Sequence, residues 1–213
     1  MEPRRPGGLT RSLEASLHQA CHQAIGMVEQ ARDGFRRLDG GTLDRVNESV
    51  VTLRAGAQSL TSGILSELGN RPGFEKQARL YLALPMHLER IADRGEALAA
   101  AIRKVKTAGL PFTEKARREV DSLMEATLEV LAALKDLVRT WSPVLATHVV
   151  EAGDRAEALT DEYAQSHRDR MIGGECVPMS SPVYLSILDH LSSIRRHARE
   201  MAMDLAPAAH SQP

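Results

Sequence analysis

Residues in the first half of this chain return in the second half at a constant spacing of 103. Tyr81-Leu82 falls on Tyr184-Leu185, His87-Leu88 on His190-Leu191, Ile91 on Ile194 and Ala99 on Ala202. At the start of each half, "GLT" (8–10) falls on "PFT" (111–113). Thr10 and Thr113 are therefore matching N-cap candidates, because a threonine hydroxyl accepts from an otherwise unpaired amide of the first helical turn. A fixed internal period implies that each copy is one structural unit, burying its apolar stripe against its neighbours.

Helix breakers divide each copy into three. "RRPGG" precedes a stretch from Leu9 to Leu38, and "DGG" at 39–41 closes it. A second stretch runs from Thr42 to Leu68 and ends at "GNRPG" (69–73); a third runs from Phe74 to Lys106 and ends at "AGLP". The fourth spans Thr113 to Trp141, the fifth follows "SP" and reaches Ile172, and "GGECVPMSSP" separates it from a sixth, Val183 to Leu205. Proline lacks the amide hydrogen and glycine tolerates positive φ, so both mark helix ends. Each stretch carries one apolar stripe at about 100° per residue. On the first it is Leu13, Leu17, Ala20, Ala24, Met27, Ala31, Phe35 and Leu38. On the third it is Leu80, Leu84, His87, Ile91, Leu98, Ile102 and Val105; on the sixth, Val183, Ile187, His190, Leu191, Ile194, Ala198, Met201 and Leu205. Aromatic residues make up only 3% of the chain, while strong helix formers abound. The expected fold is all-α: a six-helix bundle of two three-helix repeats, 9–108 and 109–205, with disordered ends at 1–8 and 206–213.

Composition narrows the function classes. A formal net charge of −1 provides no overall attraction to nucleic acid or anionic lipid. Two cysteines, Cys21 and Cys176, suit a reducing compartment and cannot build a disulfide framework. "MEPRRPGGLT" has no apolar h-region, and no apolar run approaches the roughly 18–20 residues that cross a bilayer. A soluble cytoplasmic protein without membrane insertion is expected. There is no Gly-rich phosphate loop, nucleophile elbow or zinc-ribbon spacing, and no paired Glu-x-x-His of the ferritin-like di-metal sites. No catalytic residues are expected.

The third stretch, "HLERIADRGEALAAAI" (87–102), places Glu89 and Asp93 one turn apart, on the side opposite the Leu84, Ile91 and Leu98 stripe, with Glu96 one turn further. Acids at i, i+4 repel unless a hard cation or a facing arginine lies between them. In the fifth stretch "EALTD" repeats the spacing with Glu157 and Asp161, and Asp154 and Glu162 add charge. Two readings stand: solvated charged faces, or carboxylate ligands for a divalent or iron-type metal ion.

"HLERIADRGEALAAAI" resembles the signature of PhoU domains, Leu-Glu-Arg-Ile-small-Asp with an apolar continuation, and "DEYAQSHRDRMIGGECVPMSSPVYLSILDHLSSIRRHAREMA" (161–202) resembles their second half, especially in the cytoplasmic PhoU-like domain of sodium/phosphate cotransporters. The resemblance runs from Leu9 to Leu205. It implies a regulator of phosphate transport that docks onto a transporter subunit or phosphate-signalling protein, a homodimer as one assembly, and metal bound by acidic pairs at Glu89 and Asp93 and at Glu157 and Asp161. The chain departs from that pattern at the 103-residue counterparts: Ser192 and Arg196 stand opposite Glu89 and Asp93, and Arg54 and Gln58 opposite Glu157 and Asp161. The alternatives are a metal-dependent helical-bundle enzyme using the same four acids, or a structural adaptor with no phosphate link.

Four other features are secondary. His18 and His22, beside Cys21 and near Glu14, could chelate zinc or nickel from one helix, or stand exposed or between subunits. His87 and His190 sit on the stripes and read as core histidines bonding a neighbouring helix. "SHRDR" (166–170) reads as the solvated basic end of the fifth helix, and Cys176 as exposed in a glycine-rich connection.

Overall fold

Thr10 and Thr113 both cap. Each has extended backbone, and its hydroxyl accepts from the amide three residues on: Leu13 N at 3.4 Å and Ala116 N at 3.1 Å. The computed structural model describes residues 9–68 and 75–209, with side chains at 9–67 and 79–206. Helix α1 then runs Arg11–Arg37 and α4 runs Glu114–Thr140. Each ends on a left-handed residue that is not glycine, Leu38 (φ 49°) and Trp141 (φ 54°), whose amide donates to the carbonyl four residues back. Starts, ends and caps of the two helices are thus 103 residues apart. We expect Thr113→Ala to lower stability by about 1 kcal/mol, measured by urea denaturation, because the Ala116 amide loses its acceptor.

The remaining helices are α2 (Gly40–Leu68), α3 (Glu75–Thr107), α5 (Pro143–Ile172) and α6 (Ser181–Ala209), the last preceded by a 3-10 turn, Pro178–Ser180. Two boundaries differ from expectation. Helix α2 starts at Gly40 rather than Thr42, because the Asp39 carboxylate accepts from both the amide (2.9 Å) and hydroxyl (2.6 Å) of Thr42. Helix α6 starts before Val183 and continues past Leu205 to Ala209. The "GNRPG" breaker, residues 1–8 and residues 210–213 lie outside the described residues. Pro85 sits inside α3, where it removes one backbone bond to the Tyr81 carbonyl just before His87.

Within each repeat the helices pack consecutively, α1 on α2 on α3 and α4 on α5 on α6. The repeats meet through α1 against α4 and α3 against α6, so α2 and α5 flank a four-helix centre. The expected stripes form that centre: Leu17, Met27, Phe35, Leu84, Ile91, Ile102, Ile187, Ile194 and Met201 are all buried. Gly95 leaves room for α1 to pack on α3, since a Cβ there would strike the Met27 side chain. Between the repeats, Asp121 of α4 accepts bidentate bonds from both Arg32 (2.8 and 2.9 Å) and Arg36 (2.6 and 2.8 Å) of α1.

Candidate functional site

The signature acids face a helix rather than open solvent. Glu89 and Asp93 are half-buried on α3 and turn toward α2, where with Arg54, Gln58, Met86 and Arg90 they line an open depression of about 300 Å³. The Arg54 guanidinium donates to Asp93 Oδ1 (2.8 Å) and Glu96 Oε2 (2.6 Å), and these bonds hold it more firmly charged. Arg90 lies 3.6 Å from Asp93 on the other side. The positive charge facing Asp93 is therefore an arginine, which bridges it to Glu96 rather than to Glu89. These side chains are 35–64% exposed, so the pairs contribute little to stability and chiefly set the pattern of the surface.

The second acidic pair lies at a different crossing. Glu157 of α5 accepts from the Ser192 hydroxyl of α6, whose one hydrogen lies within reach of both carboxylate oxygens (2.9 and 2.7 Å), with Arg195 3.5 Å away, while Asp161 is exposed. The repeats have exchanged roles: α2 supplies the base and α3 the acids in the first, whereas α5 supplies the acids in the second. Glu89 and Asp93 sit on α2–α3, and Glu157 and Asp161 on α5–α6, so no three of the four share a crossing. A pair of carboxylates of which one already faces an arginine fits a hard cation poorly, because such ions draw on a larger set of oxygens.

No protein-family model matches the sequence, and no curated protein does. Solved structures match closely. A PhoU from Streptococcus pneumoniae, described as a phosphate transport system regulatory protein, superposes with a TM-score of 0.81 at 13% identity, covering 94% of this chain and 95% of its own. PhoU from Pseudomonas aeruginosa superposes with a TM-score of 0.84 at 16% identity, covering 94% and 97%. This chain has the PhoU fold. The likeness expected from "LERIAD" is thus met end to end in architecture.

On this PhoU fold the second repeat carries buried polar groups that the first lacks. Arg195, 1% exposed, donates to the hydroxyls of Thr127 (3.0 Å) and Thr160 (2.5 Å) and to the Ala156 carbonyl (3.4 Å). Burial lowers its pKa to about 10. The counterparts in the first repeat are Ala92, Ala24 and Ala57, three small apolar residues. That matched change was present in the sequence, and comparing the two copies position by position exposes it.

The end of α5 expected to be solvated is so only in part: Arg168 and Asp169 are exposed, whereas His167 and Arg170 are buried. Arg170 donates to both oxygens of buried Glu119 (2.7 and 2.6 Å), and the Tyr184 hydroxyl donates to the same carboxylate at 2.6 Å. The His167 ring stacks on Tyr184 at 4.5 Å, with its Nε2 2.8 Å from Ser181 Oγ. The charged ring around Tyr184 is therefore fixed by tertiary contacts from α4 and α6, which no local spacing reveals.

Of the remaining features, His22 is exposed and His18 half-buried, while Cys21 is buried with its thiol pushed up to about 12, so it offers no thiolate. Cys176 is half-buried. His190 bonds Ser186 of its own helix (3.0 Å) rather than a neighbouring one; His87 does reach across, to α6. Burial is the main cause lowering the pKa of His18, His167, His190 and His197 below the ordinary histidine range. The folded state thus binds fewer protons than the unfolded chain, and stability is present above about pH 6.5 and lost as pH falls below it. A urea midpoint that declines from pH 7 to pH 5.5, less steeply in His190→Gln, is the expected result.

Proposed function

We propose that this chain is a PhoU-like accessory or regulatory protein of phosphate transport, acting by docking a helical face onto a transporter subunit or a phosphate-signalling protein. The observation that carries the reading is the end-to-end likeness of fold to two PhoU proteins, one described as a phosphate transport system regulatory protein. In support, no helix among the described residues is long and apolar enough to cross a membrane, as befits a protein that meets a membrane transporter from outside the bilayer. The α2–α3 face carries an ordered charge pattern, Arg54 with Asp93 and Glu96, together with the exposed Met86 and Val51. Polar charges around apolar anchors are what a protein-docking surface requires.

In this reading the chain works through binding, without a catalytic step. A cation at Glu89 and Asp93 binds only in competition with Arg54, and one at Glu157 and Asp161 displaces the Ser192 hydroxyl. The phosphate role is tested in cells lacking the gene: phosphate uptake measured with a radioactive tracer is expected to change and to return with the wild-type gene. Uptake unaltered at both high and low external phosphate would overturn the assignment. The docking face is tested separately by Arg54→Glu, which places three carboxylates together, and is expected to abolish complementation while leaving helicity intact.

A further inference from the structure

Three ligand-type atoms from opposite repeats converge where α3 crosses α6. His87 Nδ1 of α3 lies 3.2 Å from His197 Nδ1 of α6 and 3.3 Å from Glu200 Oε2, and His197 Nδ1 lies 3.1 Å from the same oxygen. The three atoms form a nearly equilateral triangle. Among the described residues this is the one place where three or more histidine, cysteine, aspartate or glutamate ligand atoms gather.

Protons alone satisfy that triangle badly. If one Nδ1 carries a hydrogen, it can serve the other nitrogen or the carboxylate, but the remaining edge joins two acceptors. If both carry hydrogens, both can donate to Glu200 Oε2, but the two N–H dipoles then lie side by side 3.2 Å apart. A metal ion turns all three atoms into donors to one centre. Ligands bound tetrahedrally to zinc at about 2.0–2.1 Å stand about 3.3 Å apart, the spacing seen here. A cation just above the plane of the triangle reaches all three atoms and keeps its fourth position open.

The surroundings agree with this geometry. Asp204 Oδ2, one turn further along α6, lies 3.6 Å from His87 Nε2, the nitrogen that faces away from the triangle. At that distance the carboxylate acts by charge, favouring a proton on the far nitrogen and leaving the near one free to coordinate. Both histidine side chains are only 12–15% exposed, whereas Glu200 is 37% exposed, so the position is held by packing and still reached by solvent. Arg196, the residue before His197, opposes an added cation, against the two carboxylates Glu200 and Asp204 in favour.

We infer that His87, His197 and Glu200 form a zinc-type divalent metal site that ties the first repeat to the second across the α3–α6 face, with Asp204 as the positioning residue behind His87. The site is separate from the acidic pairs on the flanks and stands independently of the phosphate role. Two nitrogens and one oxygen select a borderline cation such as Zn(II) over Mg(II) or Ca(II), which take oxygen ligands.

The test is zinc binding by the full chain, purified with a chelator and dialysed against Zn(II) alone, read by elemental analysis. Wild type is expected to retain one zinc per chain, and His87→Gln and His197→Gln none. Asp204→Asn, which leaves all three ligands, is expected to weaken binding about 10–100-fold. His190→Gln, at the equivalent position of the other repeat, and the double variant His18→Gln/His22→Gln are expected to keep it. Failure of wild type to retain zinc, or equal retention by His87→Gln and His197→Gln, would overturn the inference. Should those variants not fold, Co(II) added to wild type decides: the intense visible absorption of a four-coordinate site supports the proposal, and a weak octahedral spectrum sinks it.

Discussion

Replacing Glu119 by alanine is expected to remove about 3–5 kcal/mol of unfolding free energy, the typical cost of breaking a buried ion pair from one side. Glu119 and Arg170 are 4% and 6% exposed, and their two bonds are 2.7 and 2.6 Å long. Removing the carboxylate strands a guanidinium between α4 and α6 and takes the acceptor from the Tyr184 hydroxyl as well. The loss comes from the stranded charge and not from the bonds as such. Glu119→Leu combined with Arg170→Met should therefore recover the part due to the stranded charge, because an apolar pair of similar volume needs no partner, while the Tyr184 hydroxyl still lacks its acceptor. Urea denaturation of the two single variants and the double gives the coupling directly. A loss of under 1 kcal/mol in Glu119→Ala would show that water reaches Arg170 and that the pair is not a sealed element of the core.

Trp141→Ala is expected to cost about 3–5 kcal/mol, a large cavity at a junction between repeats. Trp141 is 1% exposed, and its indole Nε1–H donates to Glu14 Oε1 at 3.0 Å, joining the end of α4 to the start of α1. It does so from a left-handed backbone conformation that disfavours side chains other than glycine by about 1–2 kcal/mol. Trp141→Gly removes that strain and should be less destabilising than Trp141→Ala in the same urea series. Trp141→Phe should retain most of the burial and lose only the indole bond. Equal stability of the alanine and glycine variants would mean that the backbone at 141 relaxes and stores no strain.

Legibility followed the range of the interactions involved. Helices, stripes and caps depend on spacing along the chain, and Thr10, Thr113 and the stripes of α1, α3 and α6 were readable for that reason. The doubled period added the duplication, and the structure repeats it where Leu38 and Trp141 end α1 and α4 in the same left-handed conformation. The acidic spacing at Glu89 and Asp93 was equally visible, but its alternatives, a cation or an arginine, differ only in what faces it from α2. Arg54 could have been nominated, since it stands where the other repeat has Glu157, but its reach to Asp93 and Glu96 depends on the crossing of α2 with α3. "SHRDR" was misread in part because charge along the chain resembles a solvated face whether or not a partner such as Glu119 arrives from 51 residues away.

By itself the sequence determined six amphipathic helices, their order, their caps and their duplication, since apolar periodicity and side-chain-to-backbone bonds act within a turn or two. Only the tertiary structure decided which charges meet: Arg54 with Asp93, Arg170 with Glu119, Arg195 with Thr127 and Thr160, and His87 with His197. Electrostatic and ligand geometry is set to tenths of an ångström by how helices cross, and helix crossings arise from the packing of the whole core.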